Sequence, residues 1–226
     1  MKQINGIDWM NSRKLIRPIL LITGYSLAAA YGLVAQTQPA KTGEPKAAEI
    51  QTPAAQKYFT DVELVNQDGG KMRLYSDLLK GHTVVIIPFF ATCTNVCPPM
   101  NATLRKVQQS LGGRVGKDVY LISLTVDPVN DTPARLKEYA ARFHAESGWY
   151  FVTGTPENVN VALQKLGMYV PDKNDHNTIM IIGNEPTGLW KKAYALSRAS
   201  DLVAIIEGVA DDGKPAERNG STPGGP

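Results

Sequence analysis

Two apolar runs constrain the fold of this chain more than any other feature of its sequence. TVVIIPFF at 83–90 and DVYLISLTV at 118–126 are rich in β-branched residues. Such runs are typical of strands that are buried on both faces of a sheet. The 27 residues between them include apolar side chains at helical spacing. The sequence therefore predicts a β-α-β unit, in which the two strands run parallel.

The rest of the pattern extends this unit into a mixed sheet. Two more helices are predicted, with a short strand, WYFV at 149–152, between them. TIMIIG at 178–183 and LWKKAY at 189–194 predict an antiparallel hairpin, and a last helix follows. The order β-α-β, helical elements, β-β-α is that of a thioredoxin-like fold. We therefore predict an α/β domain over residues 58–210, with a central mixed sheet flanked by helices.

The segments on either side of this domain differ from it in composition. Residues 1–17 contain four basic side chains and one acidic one, and residues 18–35 contain no charge. This pattern predicts a cytoplasmic N-terminus and a membrane anchor, or a signal peptide that is cleaved. We predict that residues 36–57 form a flexible linker and that residues 211–226 form a disordered tail. The folded domain is expected on the extracytoplasmic, periplasmic side, either membrane-anchored or secreted after cleavage.

The distribution of charge argues against nucleic acid as a partner. The chain has 24 Lys and Arg residues against 21 Asp and Glu, a net charge of +3. Residues 1–35 account for all of this excess, so the remainder of the chain balances at 20 basic and 20 acidic residues. A nucleic-acid surface needs a clustered basic patch or stripe, and the sequence shows none.

The only two cysteines, Cys93 and Cys97, lie together in ATCTNVCPP at 91–99, where the first buried strand meets its helix. Pro98 and Pro99 suit the first turn of that helix, so its free amides are expected to lower the pKa of Cys97. Three interpretations are open: a structural disulfide, a redox pair and a metal site. A disulfide that closes so short a loop removes little chain entropy. Two thiolates favour Cu(I), or Zn(II) where more ligands are present.

A metal site with two cysteines needs a further donor, and the chain has three histidines. His82 precedes the first buried strand, which predicts a position far from the cysteines. His144 ends an amphipathic helix beside charged residues, which predicts a solvated position. His176 lies in a polar loop, PDKNDHN, immediately before a strand. The loop by itself favours a solvent-exposed histidine, so the residue pattern leaves the third ligand open.

Three short motifs follow one another along the domain: CTNVCP at 93–98, DPVNDTP at 127–133, and DH at 175–176. They resemble the C-x3-C-P, D-P-x-x-D-T-P and D-H motifs of the Sco/SenC family, in the family's order. This family consists of membrane-tethered copper proteins that serve cytochrome c oxidase assembly. The resemblance extends over most of the chain, about residues 58–210.

The resemblance implies a copper site made by Cys93, Cys97 and His176, which holds Cu(I) or Cu(II). Asp127 ends the second buried strand and is expected to face the cysteine loop. We predict that it supports the metal ligands or docks a partner. Asp131, in the same motif, is predicted to cap the N-terminus of the following helix.

The resemblance also implies a function. It predicts a membrane-tethered copper chaperone that delivers copper to the copper centre of a respiratory oxidase during assembly. The partner would be a copper-accepting oxidase subunit or another periplasmic copper protein. The alternative is an enzyme, a thiol-disulfide oxidoreductase that uses Cys93 and Cys97 to reduce the metal-binding cysteines of a partner. A thiol peroxidase, suggested by Pro88 and Thr92 beside a cysteine, is disfavoured because no arginine is visibly placed to activate peroxide.

Overall fold

A seven-stranded mixed sheet with helices on both faces forms the structure, a computed structural model that describes residues 54–214. The strands are β1 Glu63–Asn66, β2 Lys71–Arg73, β3 Thr83–Phe89, β4 Val119–Thr125, β5 Trp149–Thr153, β6 Ile179–Asn184 and β7 Leu189–Tyr194. The helices are α1 Ala54–Phe59, α2 Cys97–Leu111, α3 Pro133–Arg142, α4 Pro156–Lys165 and α5 Ala199–Ala210. Shorter turns are π-helical at Leu74–Leu79 and 3-10 at Gly112–Arg114 and Lys173–Asp175. The predicted α/β fold with a central mixed sheet is confirmed.

The strand order brings three loops to one edge of the sheet. The order is β2-β1-β5-β4-β3-β6-β7, with β3, β4 and β5 parallel to one another and the other pairs antiparallel. Phe89 at the end of β3 lies opposite Thr125 at the end of β4. Because β6 runs antiparallel to β3, the loop that precedes β6 lies at this same edge. The loops after β3, after β4 and before β6 therefore meet.

Strand β3 is the centre of two hydrophobic layers, and every one of its residues is buried. Val85, Ile87 and Phe89 contact the layer that includes α2, α3 and α5. Val84 and Ile86 contact the opposite layer, which includes α4 and the π-helical turn. Burial of each such aliphatic side chain contributes about 1.5–3 kcal/mol. This two-sided burial is the reason why the strand reads as a continuous apolar run.

The N-terminal part of the domain was missing from the sequence prediction. Strands β1 and β2 have four and three residues, too few to show a clear period. Helix α1 begins at Ala54, inside the segment 36–57 that the composition assigns to a linker. At the other end, residues 211–214 continue from α5, and Asp211 accepts a 2.9 Å bond from Arg114. The described structure thus extends four residues into the predicted tail.

The remaining predicted segments lie outside the described residues. These are the basic N-terminus 1–17, the membrane anchor or signal peptide 18–35, most of the linker and the rest of the tail. Within residues 54–214, every helix is too short or too polar to cross a membrane. The predictions for the N-terminal segments therefore stay predictions.

Asp131 does not cap α3, so that prediction is wrong. Thr132 has the extended backbone of an N-cap residue, and its hydroxyl accepts from the backbone N–H of Arg135. The fully buried carboxylate of Asp131 instead accepts from the Thr125 hydroxyl at 2.6 Å and from the Ala91 N–H at 3.1 Å. Burial raises the pKa of this carboxyl. Asp131 thus fastens the loop after β3 to the end of β4.

We expect Gly148→Ala to lower the free energy of unfolding by about 3 kcal/mol or more. Gly148 has a positive φ of 91°, and a Cβ at this position would overlap the backbone of Gly116. Gly167→Ala is the matched control, because its φ is also positive, 65°, but a Cβ there meets open space. The control should lose only about 1–2 kcal/mol. Urea unfolding of both variants measures the difference. Equal losses of unfolding free energy would contradict the close approach of the loops that contain Gly116 and Gly148.

Candidate metal centre

The three predicted ligands meet at the edge of the sheet where the loops converge. The ligand atoms of Cys93, Cys97 and His176 all lie within 4.8 Å of one another. The Cys97 Sγ is 3.3 Å from the Nε2 of His176, although 79 positions separate these residues along the chain. Two sulfurs and one imidazole nitrogen therefore face a common point, which is a soft donor set suited to a thiophilic metal.

The two cysteines are placed by the start of α2. The helix begins at Cys97, with Pro98 and Pro99 in its first turn, as the sequence predicts. Val96 is its N-cap residue and makes no side-chain cap. The backbone N–H of Cys97 instead donates to the Sγ of Cys93 at 3.4 Å. The sulfur of Cys93 therefore occupies the position that a capping oxygen takes in most helices.

This arrangement reverses the expected acidities of the two thiols. Burial raises the pKa of Cys93, but hydrogen bonds from the Cys97 thiol and from nearby backbone amides outweigh it and hold that pKa below its ordinary value. Burial raises the pKa of Cys97, and the adjacent Cys93 sulfur raises it further. The prediction of a lowered pKa at Cys97 is wrong, because the free amides at the start of the helix donate to the sulfur of Cys93. Cys93 is the thiol that ionises first.

His176 is held in the form that a metal ligand requires. Its Nδ1 lies 2.7 Å from the carbonyl oxygen of Lys173. A carbonyl oxygen only accepts, so Nδ1 carries a proton, and in the neutral ring Nε2 then keeps the lone pair. The ring also packs edge-on against Phe90, with 5.3 Å between the ring centroids. The free nitrogen is thereby directed at Cys97 and not at solvent.

Asp127 reaches the site through Lys173. Its carboxylate accepts from the Lys173 Nζ at 2.6 Å and from the Asn130 side chain at 2.9 Å. Burial raises the pKa of Asp127, and the bonds from Lys173 and Asn130 outweigh this and bring it below its ordinary value. The Lys173 Nζ also lies 5.1 Å from the centroid of Phe90. The predicted role of Asp127, ligand support or docking, stays a prediction, but the structure places it one ion pair from the histidine loop.

The other two histidines lie away from the cysteines, as the sequence predicts. His82 precedes β3 at the opposite edge of the sheet, where its ring lies 3.9 Å from that of Tyr120. Burial lowers the pKa of His82. His144 is exposed after the end of α3. Neither position brings an imidazole to the metal centre.

The sequence does not predict a row of buried, hydrogen-bonded side chains that begins at the Cys97 carbonyl. The Asn101 side chain donates to the Cys97 carbonyl at 2.9 Å and accepts from the Ser123 hydroxyl at 3.2 Å. The indole N–H of Trp149 donates to the same hydroxyl at 3.1 Å. Asn101 lies four residues after Cys97, on the apolar face of α2. A polar side chain on that face was the available signal, whereas nothing in the sequence singles out Lys173.

In the reduced, metal-free chain, iodoacetamide should modify Cys93 at least about tenfold faster than Cys97. Cys93 has the lowered pKa and keeps 8% of its surface exposed, whereas Cys97 is fully buried. Mass spectrometry of the two cysteines over time measures both rates. The unfolded chain is the control, in which the two thiols should react at similar rates. Equal rates in the folded protein would contradict the assignment of the helix amides to Cys93.

Comparison with known proteins identifies the family. A family model described as SCO1/SenC matches residues 50–208. The SCO1 protein homolog of Bacillus subtilis is 40% identical over 90 residues, which span 39% of this chain and only 45% of that protein.

Among solved structures, yeast Sco1 with copper bound is similar at a TM-score of 0.58 and 25% identity, over 70% of this chain and 94% of that one. BsSco, a member of the Sco family of cytochrome c oxidase assembly proteins with an identified disulfide switch, is similar at a TM-score of 0.56 and 26% identity, over 66% of this chain and 91% of that one. The chain therefore belongs to the SCO1/SenC family.

Proposed function

We propose that this protein is a membrane-tethered copper chaperone that binds copper through Cys93, Cys97 and His176. The observation that carries the proposal is the 3.3 Å approach of the His176 Nε2 to the Cys97 Sγ, with the Cys93 Sγ within 4.8 Å. Similarity to yeast Sco1, whose structure contains copper, supports the choice of metal. The recipient would be a copper-accepting oxidase subunit or another periplasmic copper protein.

The donor set suits a metal that must be handed on. Two thiolates and one imidazole satisfy Cu(I) at low coordination number and leave room for a fourth ligand. Cys93 and His176 keep 8% and 9% of their surface exposed, whereas Cys97 is fully buried. A partner's ligand would therefore approach over Cys93 and His176 and replace the ligands one by one. Protonation of the thiolates or of the imidazole opposes binding, so copper affinity should fall as the pH falls.

The lowered pKa of Cys93 favours one second candidate, a thiol-disulfide oxidoreductase. The thiolate of Cys93 would attack a sulfur of a partner's disulfide and form a mixed disulfide, and the released partner sulfur would take a proton. Cys97, once deprotonated, would attack the Cys93 sulfur, close the Cys93–Cys97 disulfide and release the second partner thiol. Two electrons and two protons thus pass to the partner. Both cysteines are reduced in the structure, and this reaction does not use His176.

His176→Ala separates the two functions. We expect it to lower copper affinity by more than roughly 100-fold, because the loss of outer partners of a ligand already costs about 10- to 100-fold. Its rate of disulfide exchange should stay close to that of the parent. Cys97→Ser should lose both activities, and His144→Ala, which removes an exposed imidazole, should lose neither. The measurements are anaerobic titrations of the full chain with Cu(I) and Cu(II), and reduction of a disulfide substrate.

If His176→Ala binds both copper states as tightly as the parent, the metal-site assignment fails. If exchange is slow in the parent as well as in Cys97→Ser, the oxidoreductase candidate fails while the copper assignment stands.

Lys173→Met should lower copper affinity by about tenfold. The substitution removes the 2.6 Å ion pair with Asp127 and keeps the backbone carbonyl that holds His176. It leaves a buried carboxylate without its cation, so the loop that carries the imidazole should lose its fixed position. Lys173→Arg keeps the charge and is the matched control. The NMR exchange rate of the His176 Nδ1 proton in metal-free protein gives a second readout, and an unchanged rate would contradict this role.

A further inference from the structure

An open apolar groove lies on the face of the sheet that is opposite to α2. Helix α1, the end of α4, and strands β6 and β7 line it, and its volume is about 630 Å³. The rings of Tyr58, Phe59 and Trp190 form its walls, with 5.2 Å between the centroids of Phe59 and Trp190. Tyr58 is 58% exposed. The groove therefore presents aromatic surface to its surroundings.

Lysines surround this aromatic surface. Lys165, Lys191 and Lys192 line the groove, and no acidic side chain is among its lining residues in the described part of the chain. Lys192 is exposed on the edge strand β7 and lies on the same face as Trp190, whereas Lys191 lies on the other face of this strand. The Lys165 Nζ lies 5.4 Å from the centroid of Tyr58. Tyrosine and tryptophan rings concentrate at membrane–water interfaces, and lysines there are attracted to anionic headgroups.

The chain enters the domain at this groove. Ala54, the first described residue, is one of the lining residues. Only 18 residues, 36–53, separate it from the predicted membrane segment 18–35. A flexible chain of this length has a root-mean-square span of roughly 20–25 Å. A membrane segment at 18–35 would therefore keep the groove close to the bilayer surface.

We propose that the groove and its rim, which we call the α1–β7 face (Tyr58, Phe59, Trp190, Lys165 and Lys192), dock on the anionic lipid headgroups of the membrane. The proposal rests on the membrane attachment in the proposed function and defines how the tethered domain is oriented. The aromatic rings would enter the headgroup region, and the ammonium groups would meet lipid phosphates.

This orientation keeps the metal centre clear of the lipid. Trp190 pairs with Gly183, which pairs with Val84 near the start of β3. The cysteine loop follows Phe89, five residues or roughly 17 Å further along the same strand, and α2, which begins at Cys97, packs on the face of the sheet opposite to Trp190. A recipient would thus meet the copper ligands above the headgroups and not within them.

Lysine acetylation of the full chain tests this docking. The chain is reconstituted in bilayers of phosphatidylcholine alone or with phosphatidylglycerol, at low and high salt, and is also kept in neutral detergent. We expect Lys165 and Lys192 to react about tenfold more slowly in phosphatidylglycerol bilayers at low salt, and to recover at high salt. Lys106 and Lys137, on helices of the opposite layer, should react equally in all conditions. Mass spectrometry measures each rate.

Charge reversal provides the matched variants. The variant K192E should weaken the protection of Lys165, whereas K106E, with the same change of charge, should keep it. Equal acetylation in the two kinds of bilayer would overturn the proposal. Protection that persists in detergent would assign the groove to residues 36–53 or to a second copy of the chain, which also overturns it, as would failure of the chain to enter bilayers. Copper titration of the parent and of K192E should agree, so a failed metal site is distinguished from a failed membrane face.

Discussion

The pairing of β3 with β4 on one side and with β6 on the other is the constraint on which the site depends. Parallel pairing aligns the ends of β3 and β4, and antiparallel pairing brings the start of β6 to the same edge. Three loops that are distant in sequence are thereby forced together, and each brings one part of the site: the cysteines, Asp127 and His176. The buried faces of β3 hold this register, because a slip by one residue would exchange its two apolar faces.

The parts of the structure that were predictable have strong periodicity. These parts are the β-α-β unit, the hairpin β6–β7, and helices α3 and α4, which follow a threonine and begin at a proline. Each of their strands and helices has more than four residues with a regular pattern of apolar side chains. Strands β1 and β2 are too short and too exposed for such a pattern. The meeting of Cys93, Cys97 and His176 was predictable through their motifs, because a motif records spacing and loop position. Lys173 was not, because its contact with Asp127 exists only after both loops meet.

The acidities of the cysteines show where local reasoning stops. The position of Cys97 at the start of α2 was predicted, and helix amides do favour a thiolate. The folded loop, however, directs the Cys97 N–H away from its own sulfur and towards that of Cys93. Burial then decides the rest, because Cys97 lies in the core with Met100 and Leu104. A pKa at a helix start thus depends on where the amide points, which the sequence does not state.

The ligands are anchored unequally, and this bears on how a metal could leave. Buried hydrogen bonds hold the cysteine loop, from Ala91 to the Asp131 carboxylate and from Asn101 to the Cys97 carbonyl. The histidine loop depends on a 3-10 turn and on one ion pair whose lysine is one-third exposed. An ion pair that solvent reaches contributes little to stability, about 1 kcal/mol or less. A buried polar group that loses its hydrogen-bond partner costs about 1–3 kcal/mol. The imidazole is therefore the side chain of the three that moves at the lowest cost, and under the proposed function exchange with a partner's ligand would begin there.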